Sequence, residues 1–179
     1  KAIESGEMVV MPESRKNEIL ALLDRGLEDV SFSRPAGTLG RAIPVPGDDS
    51  QIIYVWCDAL VNYISALGYG SNDDTLFKEF WPANVHVIGK DILRFHAAIW
   101  PAMLLSAGLP LPKTLLVHGL IMSGGKKMSK SLGNVISPEE LLAEYGKDAL
   151  RYYVARHIPI FDDGEMTKEI FKDSYNAGL

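Results

Sequence analysis

The sequence contains very little cysteine and no long unbroken hydrophobic run. Cys57 is the single cysteine among 179 residues, which excludes an internal disulfide and a four-cysteine zinc site within the chain. This cysteine usage predicts a reducing, cytosolic setting. Pro101 and Pro110 interrupt the longest apolar stretch, residues 95–111, so this stretch predicts a buried helix and no membrane span.

The chain also lacks the marks of a native amino terminus. Its first residues, KAIESGEMVV, have neither the basic start nor the apolar centre of a signal peptide. They include no initiator methionine at the first position, and we therefore expect a fragment of a longer protein.

A strong excess of positive charge is absent as well. Eighteen basic and 23 acidic residues give a net charge of -5, which excludes a polycationic nucleic-acid coat. The 47% hydrophobic and 23% charged content is that of an ordinary globular protein. The length suits one domain, or one domain and part of another.

The order of the predicted elements indicates an α/β fold. Three apolar strands, QIIYVWCD, NVHVIGKD and KTLLVHG, alternate with the helical segments ALVNYISALG, ILRFHAAIWPAMLLSAG and SPEELLAEYG. Strands of this kind predict a parallel sheet covered on both faces. Three are too few for a complete sheet, so we predict the second half of a doubly wound (Rossmann-like) parallel sheet.

Further elements flank these three units. PESRKNEILALLDRG predicts a helix that ends at Gly26, and DVSFSRP predicts a strand that leads into a Gly- and Pro-rich loop or hairpin. The segment after Lys147 predicts a C-terminal helical appendage. Pro101 predicts a bend in the helix that contains it.

Chemically distinctive residues follow each of the three strands, where open α/β sheets bind ligands. They are Trp56 and Asp58, then Gly89, Lys90 and Asp91, then His118 and Gly119. Three such coincidences favour a ligand crevice. Simpler interpretations stay open: Asp91 can cap the next helix or hold a ribose, and the aromatic residues Trp56, Tyr63 and Phe95 can be core packing.

The loop GGKKMSKSLGN raises two alternatives, a solvated turn and a phosphate-binding loop. Residues 112–131 carry four lysines and no acidic residue. The loop does not match the Gly-x-x-x-x-Gly-Lys-Ser/Thr pattern. Lysine ammonium groups nevertheless suit the charge that develops when a phosphate bond breaks.

KMSKS, residues 127–131, resembles the second signature of class I aminoacyl-tRNA synthetases, which closes over ATP during amino-acid activation. YVWCDALVNY, HVIGKDILRFHAAIWPAMLLSAGLPLP and VHG resemble the methionyl-tRNA synthetase family over essentially the whole chain. This resemblance implies ATP-dependent formation of methionyl-adenylate and transfer of the methionyl group to tRNA(Met), with Mg²⁺ accompanying ATP. It implies no metal site within the chain and a cytoplasmic location.

The resemblance also implies site residues. The methionine pocket would include Trp56, Ala59, Leu60, Tyr63, Phe95 and His96. ATP would contact Gly89, Asp91, His118, Gly119, Ile121, Lys127, Met128, Ser129 and Lys130, with Asp91 on the ribose. Lys127, Lys130 and Arg34 would assist adenylate formation. Leu60 stands where some members of the family have proline, a modest change in the shape of the pocket.

The family's first signature, His-Ile-Gly-His, does not occur in the sequence. The resemblance therefore implies a missing N-terminal catalytic half as a partner, and a piece that is inactive alone. It divides the chain into the exit of an inserted domain with a linker helix (1–34), the second half of the catalytic domain (35–122), and a third part (123–179). The third part holds the KMSKS loop, the stem-contact region and the start of the anticodon-binding helices.

Other functions remain open on the sequence. The chain could belong to another class I aminoacyl-tRNA synthetase or a related nucleotidyltransferase, or it could be a non-catalytic remnant that binds nucleotide or tRNA. Through the resemblance, the pair Trp56 and Tyr63 distinguishes a methionine-specific enzyme from a synthetase for another amino acid or a related nucleotidyltransferase.

Overall fold

A computed structural model describes residues 1–37 and 42–178. Residues 38–41, within the stretch predicted as a loop or hairpin, lie outside the described residues. The chain forms two compact units, Lys1–Leu116 and Val117–Leu179, called here the first and second units. Among the described helices, none combines the length and the apolar character needed to cross a membrane.

The helices are α1 (Ala2–Ser5), α2 (Glu13–Asp24), α3 (Val55–Ser65), α4 (Thr75–Phe80), α5 (Trp100–Ser106), α6 (Pro138–His157) and α7 (Lys168–Gly178). The strands are β1 (Val9–Met11), β2 (Ser33–Pro35), β3 (Pro44–Val45), β4 (Asp48–Ile53), β5 (His86–Gly89), β6 (Thr114–His118), β7 (Ile121–Ser123), β8 (Lys126–Lys127) and β9 (Gly164–Glu165). Short 3₁₀-helical turns span Lys90–Ile92 and Lys130–Leu132, and a π-helical turn spans Phe95–Ile99.

The predicted α/β architecture with a parallel sheet is confirmed. The sheet has the order β1-β6-β5, and β1 runs parallel to β6 with Val10 opposite Leu115. Leu115 is completely buried at the centre of this sheet. The helix predicted to end at Gly26 and the strands predicted within NVHVIGKD and KTLLVHG are confirmed as α2, β5 and β6.

One strand prediction is wrong. The segment QIIYVWCD does not join the parallel sheet: β4 ends at Ile53, and it lies in a separate antiparallel sheet with the order β2-β4-β3. The physical reason is the turn at Gly47, whose φ of 84° reverses the chain and pairs β4 with β3. α3 begins at Val55, so Trp56 and Asp58 lie on a helix and not at the end of a parallel strand.

The bend predicted at Pro101 takes the form of a change in helix type. A π-helical turn at Phe95–Ile99 precedes α5, and Pro101 is buried in the first turn of α5. Proline cannot donate a backbone hydrogen bond and clashes with the carbonyl of the fourth preceding residue. A wider turn relieves this conflict, and π-helical turns are frequent at functional sites.

The second unit combines a small sheet with two helices. Its strands have the order β8-β7-β9, with β8 antiparallel and β9 parallel to β7. Gly146, with a φ of 81°, interrupts α6 near the junction of the two predicted helical segments. Side chains from α6, α7 and the segment after β9 form the core: Leu141, Ala149, Tyr153, Met166 and Phe171.

Candidate active site

Four of the six residues predicted to bind methionine form one aromatic cluster in the first unit. Trp56 and Tyr63 lie on α3, and Phe95 and His96 lie on the π-helical turn. The rings of Trp56 and Phe95 stack with centroids 4.1 Å apart and an angle of 13°. The His96 ring is edge-on to the rings of Trp56 and Tyr63, with centroids 6.0 and 5.7 Å apart. We call these four residues the aromatic cluster.

A hydrogen bond between Tyr63 and His96 fixes the polar part of the cluster. The carbonyl oxygen of Ile92 lies 3.0 Å from His96 Nδ1, so Nδ1 carries the proton and donates it. Nε2 of the neutral ring therefore accepts, and the Tyr63 hydroxyl donates to it over 2.9 Å. Burial lowers the pKa of His96 and raises the pKa of Tyr63, which keeps both groups neutral.

The other two predicted methionine-binding residues differ from this cluster in exposure. Leu60 is only 1% exposed and belongs to the core of the first unit. Ala59 is exposed on α3. The side chain of Leu60 is therefore covered by protein, whereas that of Ala59 is accessible.

His86 is a neighbour of the cluster that the sequence analysis missed. It begins β5, is 6% exposed, and its ring lies 4.3 Å from the Tyr63 ring and 6.5 Å from the His96 ring. Its Nε2 is buried without a hydrogen-bond partner among the described residues. Burial, followed by the proximity of His96, lowers the pKa of His86 to about 4.

We expect His86 to make stability depend on pH. Because its pKa in the folded state is about 4 and its ordinary value is 6.5, the unfolded chain binds the extra proton between these values. The free energy of unfolding should therefore fall as the pH drops from 6.5 to 4, by on the order of 2 kcal/mol after allowance for solvent screening. Urea unfolding of the parent and of His86→Phe across this pH range tests the expectation. If the free energy of unfolding changed equally with pH in the two proteins, the expectation would be contradicted.

Gly89 and Asp91 lie at the end of a strand, as predicted. Gly89 is the last residue of β5 and the N-cap of the turn Lys90–Ile92, while Asp91 lies inside that turn and is exposed. The alternative in which Asp91 is the N-cap is therefore wrong. Its carboxylate is positioned beyond a strand end, where α/β folds hold ribose hydroxyls.

Arg34 lies on β2 and is held by local contacts. Its guanidinium group lies 3.8 Å from the centre of the Tyr54 ring and donates to the carbonyl oxygens of Ser31 and Ser33, at 3.0 and 2.7 Å. Cation–π stacking and these hydrogen bonds fix the direction of the side chain.

His118, Gly119 and Ile121 follow each other at the start of the second unit. His118 Nδ1 donates to the carbonyl oxygen of Gly119 at 2.6 Å, and Ile121 begins β7 with its side chain exposed. A Cβ atom on Gly119 would lie 1.9 Å from the carbonyl oxygen of Asp162. The backbone at Asp162 therefore leaves no room for a side chain at position 119. The sequence had suggested a different reason for this glycine, namely close contact with a ligand.

The loop GGKKMSKSLGN, residues 124–134 and called here the lysine loop, starts in a hairpin and continues as a short helical turn. β7 and β8 pair through Met122 and Lys127. The turn between them, Gly124 and Gly125, is called here the glycine turn. Lys130 begins the helical turn Lys130–Leu132. The Ser129 hydroxyl accepts from the Leu132 amide at 3.2 Å. Lys127 and Lys130 are exposed, whereas Met128 packs against the core of the second unit.

Asn134 is a second residue that the sequence analysis missed. Its side-chain oxygen accepts from the Ser129 amide at 2.9 Å. Its side-chain nitrogen donates to the carbonyl oxygens of Ser123 and Lys127, both at 3.3 Å. Asn134 thereby ties the two ends of the lysine loop to each other.

No three His, Cys, Asp or Glu side chains are grouped as a metal site within residues 1–37 and 42–178. Cys57 is half-buried on α3, and burial followed by the negative charge of Asp58 raises the pKa of its thiol. A raised pKa disfavours the thiolate, so Cys57 is unsuited to act as a nucleophile.

Comparison with known proteins decides the family. A family model described as tRNA synthetases class I (M) matches residues 2–179. The chain belongs to this synthetase family. Among curated relatives, the methionine–tRNA ligase of Brucella suis is 50% identical over 176 residues, which cover 98% of this chain and 34% of the relative. The methionine–tRNA ligase of Clostridium perfringens is 52% identical over 178 residues, which cover 99% of this chain and 27% of the relative.

Solved structures of the same kind share the synthetase fold. Methionyl-tRNA synthetase of Mycobacterium tuberculosis in complex with methionyl-adenylate matches with a TM-score of 0.88 and 40% identity, covering 99% of this chain and 34% of that chain. The free form from the same organism matches with a TM-score of 0.79 and 35% identity. The chain thus spans between a quarter and about a third of the length of these relatives.

Proposed function

We propose that the chain is the part of a methionine–tRNA ligase that recognises methionine and acts on the phosphates of ATP. The observation that carries the proposal is the aromatic cluster, with Trp56 stacked on Phe95 and Tyr63 bonded to His96, on a chain of the methionyl synthetase family. The complete ligase joins methionine to AMP and then passes the methionyl group to tRNA(Met).

The cluster suits a thioether side chain. Sulfur makes favourable contacts with aromatic rings, and a flexible unbranched chain fits against flat ring surfaces. The neutral Tyr63–His96 pair adds a polar group at a fixed position without a charge that an apolar ligand would have to desolvate. Ala59 and Leu60 complete the proposed pocket.

The reaction proposed for ATP is an in-line displacement. A carboxylate oxygen of methionine attacks the α-phosphorus, the bond to the bridging oxygen breaks, and pyrophosphate leaves with the electron pair. Lys127 and Lys130 neutralise the charge that develops on the leaving phosphates, and Arg34 assists adenylate formation. The backbones of Met128 and Ser129 line the phosphates, since the Met128 side chain packs against the core of the second unit.

The remaining proposed contacts hold the nucleoside. Asp91, with Gly89 beside it, accepts from ribose hydroxyls, and His118, Gly119 and Ile121 border the adenosine. Mg²⁺ is placed on the triphosphate as part of the substrate, because this ion keeps water and substrate phosphates as ligands. We also propose a cytoplasmic location, and the domain boundaries after residues 34 and 122.

Truncation of Tyr63 tests the methionine assignment. In a ligase that contains this chain, amino-acid-dependent exchange of pyrophosphate into ATP should prefer methionine over leucine, isoleucine and norleucine. Tyr63→Ala should weaken that preference by roughly tens of fold, since one methylene-sized contact is worth about 1–3 kcal/mol.

Tyr69 provides the matched control, because its ring contacts Phe77 outside the aromatic cluster, at 4.9 Å. Tyr69→Ala should leave the preference unchanged. Preferential exchange with another amino acid, or equal preferences before and after Tyr63→Ala, would count against the methionine assignment.

A further inference from the structure

The glycine turn of the lysine loop is bound by a carboxylate from a distant part of the second unit. Glu165 Oε1 accepts hydrogen bonds from the backbone amides of Gly124 and Gly125, and Oε2 lies 3.2 Å from the Gly125 amide. Residues 112–131 include no acidic residue of their own. Glu165 therefore brings a negative charge to an otherwise basic segment.

The turn has the backbone shape that binds anions. Gly124 and Gly125 have φ values of 63° and 69°, which are readily adopted only by glycine. Two consecutive amides in such a turn can point to the same side and form a concave site for an anion. The side chain of Glu165 fills this site.

The backbone of Glu165 is itself fixed. β9 pairs with β7 so that Glu165 is opposite Met122, and the Met166 amide donates to the carbonyl oxygen of Met122 at 2.9 Å. The buried Tyr153 donates its hydroxyl to the carbonyl oxygen of Glu165 at 3.4 Å. Glu165 thus connects the glycine turn to the core of its unit.

We propose that Glu165 is a positioning residue that holds the glycine turn and so fixes where the lysine loop begins. Lys127 and Lys130 lie two and five positions after Gly125, and Asn134 fixes the far side of the loop. Loss of the carboxylate would allow the turn to move and spread the two lysines over many positions. The consequence for catalysis rests on the proposed function, whereas the order of the turn does not.

Amide hydrogen exchange in a ligase that contains this chain tests the structural part. Glu165→Ala should speed exchange at Gly124 and Gly125 by about tenfold or more, because hydrogen bonds to a charged group are lost. Glu165→Gln should give a smaller increase, since its side-chain oxygen still accepts. Glu139→Ala, at an exposed position in the first turn of α6, is the matched control and should change nothing at the glycines. Unchanged protection in Glu165→Ala, with far-ultraviolet circular dichroism like that of the parent, would overturn the proposal.

Kinetics of a ligase that contains this chain test the catalytic part. Glu165→Ala should lower kcat for methionine-dependent pyrophosphate exchange by about tenfold with the KM for methionine unchanged, and Glu165→Gln should recover part of the loss. A raised KM for methionine with unchanged kcat, or full activity despite faster exchange at the glycines, would overturn it. Absence of methionine-dependent exchange in the parent ligase would refute the proposed function alone, because the amide exchange result would still report on the Glu165 contact.

Discussion

Replacement of Lys130 by alanine is expected to slow adenylate formation by on the order of a hundredfold or more, with the affinity for methionine nearly unchanged. Removal of one well-placed charge donor from a transition state costs about 2.7–4 kcal/mol. Lys130 is exposed at the start of a short helical turn. It is therefore available to phosphates, while the proposed contacts to the methionine side chain belong to other residues.

Stopped-flow measurement of adenylate formation in a ligase that contains this chain checks this expectation. Lys126→Ala is the matched control, because Lys126 is exposed on β8 just before the KMSKS motif, and it should change the rate by less than about threefold. Lys130→Arg should restore only part of the rate, since the planar guanidinium differs in shape from a compact ammonium. Weakened methionine binding with unchanged chemistry would show that the loop is a solvated turn.

Truncation of Trp100 is expected to have the largest effect on stability. Trp100 is 1% exposed, and its ring lies 6.0 Å from the rings of Tyr63 and Trp81. Trp→Ala at such a position removes a large apolar area and leaves a cavity, which costs about 3–5 kcal/mol. This is a large part of the roughly 5–15 kcal/mol that stabilises a typical domain.

Urea unfolding of Trp100→Ala checks this value against two other variants. Trp100→Phe should lower the free energy of unfolding much less than Trp100→Ala. It keeps an aromatic ring, and it removes an indole N–H that is buried without a partner among the described residues. Phe80→Ala, at a side chain that is 56% exposed, should change the free energy of unfolding by less than about 0.5 kcal/mol. A loss below about 1 kcal/mol in Trp100→Ala would mean that the ring is not part of a close-packed core.

The sequence predicted the fold where hydrophobic pattern and turn residues agree. α2, β5 and β6 were predicted correctly because each is a clear periodic or apolar run bounded by glycine or proline. QIIYVWCD was misassigned because its apolar run resembles a buried parallel strand, whereas the turn at Gly47 pairs it with β3. The short β1, Val9–Met11, was missed because three residues carry too little periodicity to indicate a strand.

The candidate site residues came from a family resemblance and not from hydrophobic pattern. Resemblance to a family suggested six methionine-binding residues, and four of the six meet in space as the aromatic cluster. Glu165 and His86 carry no local signal, because their partners come from other elements. Asn134 bonds within its own loop, but the loop sequence does not show which polar side chain binds the backbone. For Glu165 the partners are the amides of Gly124 and Gly125, 40 or more positions away along the chain, a separation that no periodicity or motif spans.

The central claim is that the aromatic cluster selects methionine and the lysine loop accelerates the chemistry. Single-turnover adenylate formation, measured over a range of methionine concentrations in the parent ligase, Tyr63→Ala and Lys130→Ala, tests it most directly. Tyr63→Ala should raise the dissociation constant for methionine, and Lys130→Ala should lower the maximal rate by about a hundredfold at an unchanged dissociation constant. A Lys130→Ala protein that binds methionine weakly yet reacts at the parental rate would contradict the claim.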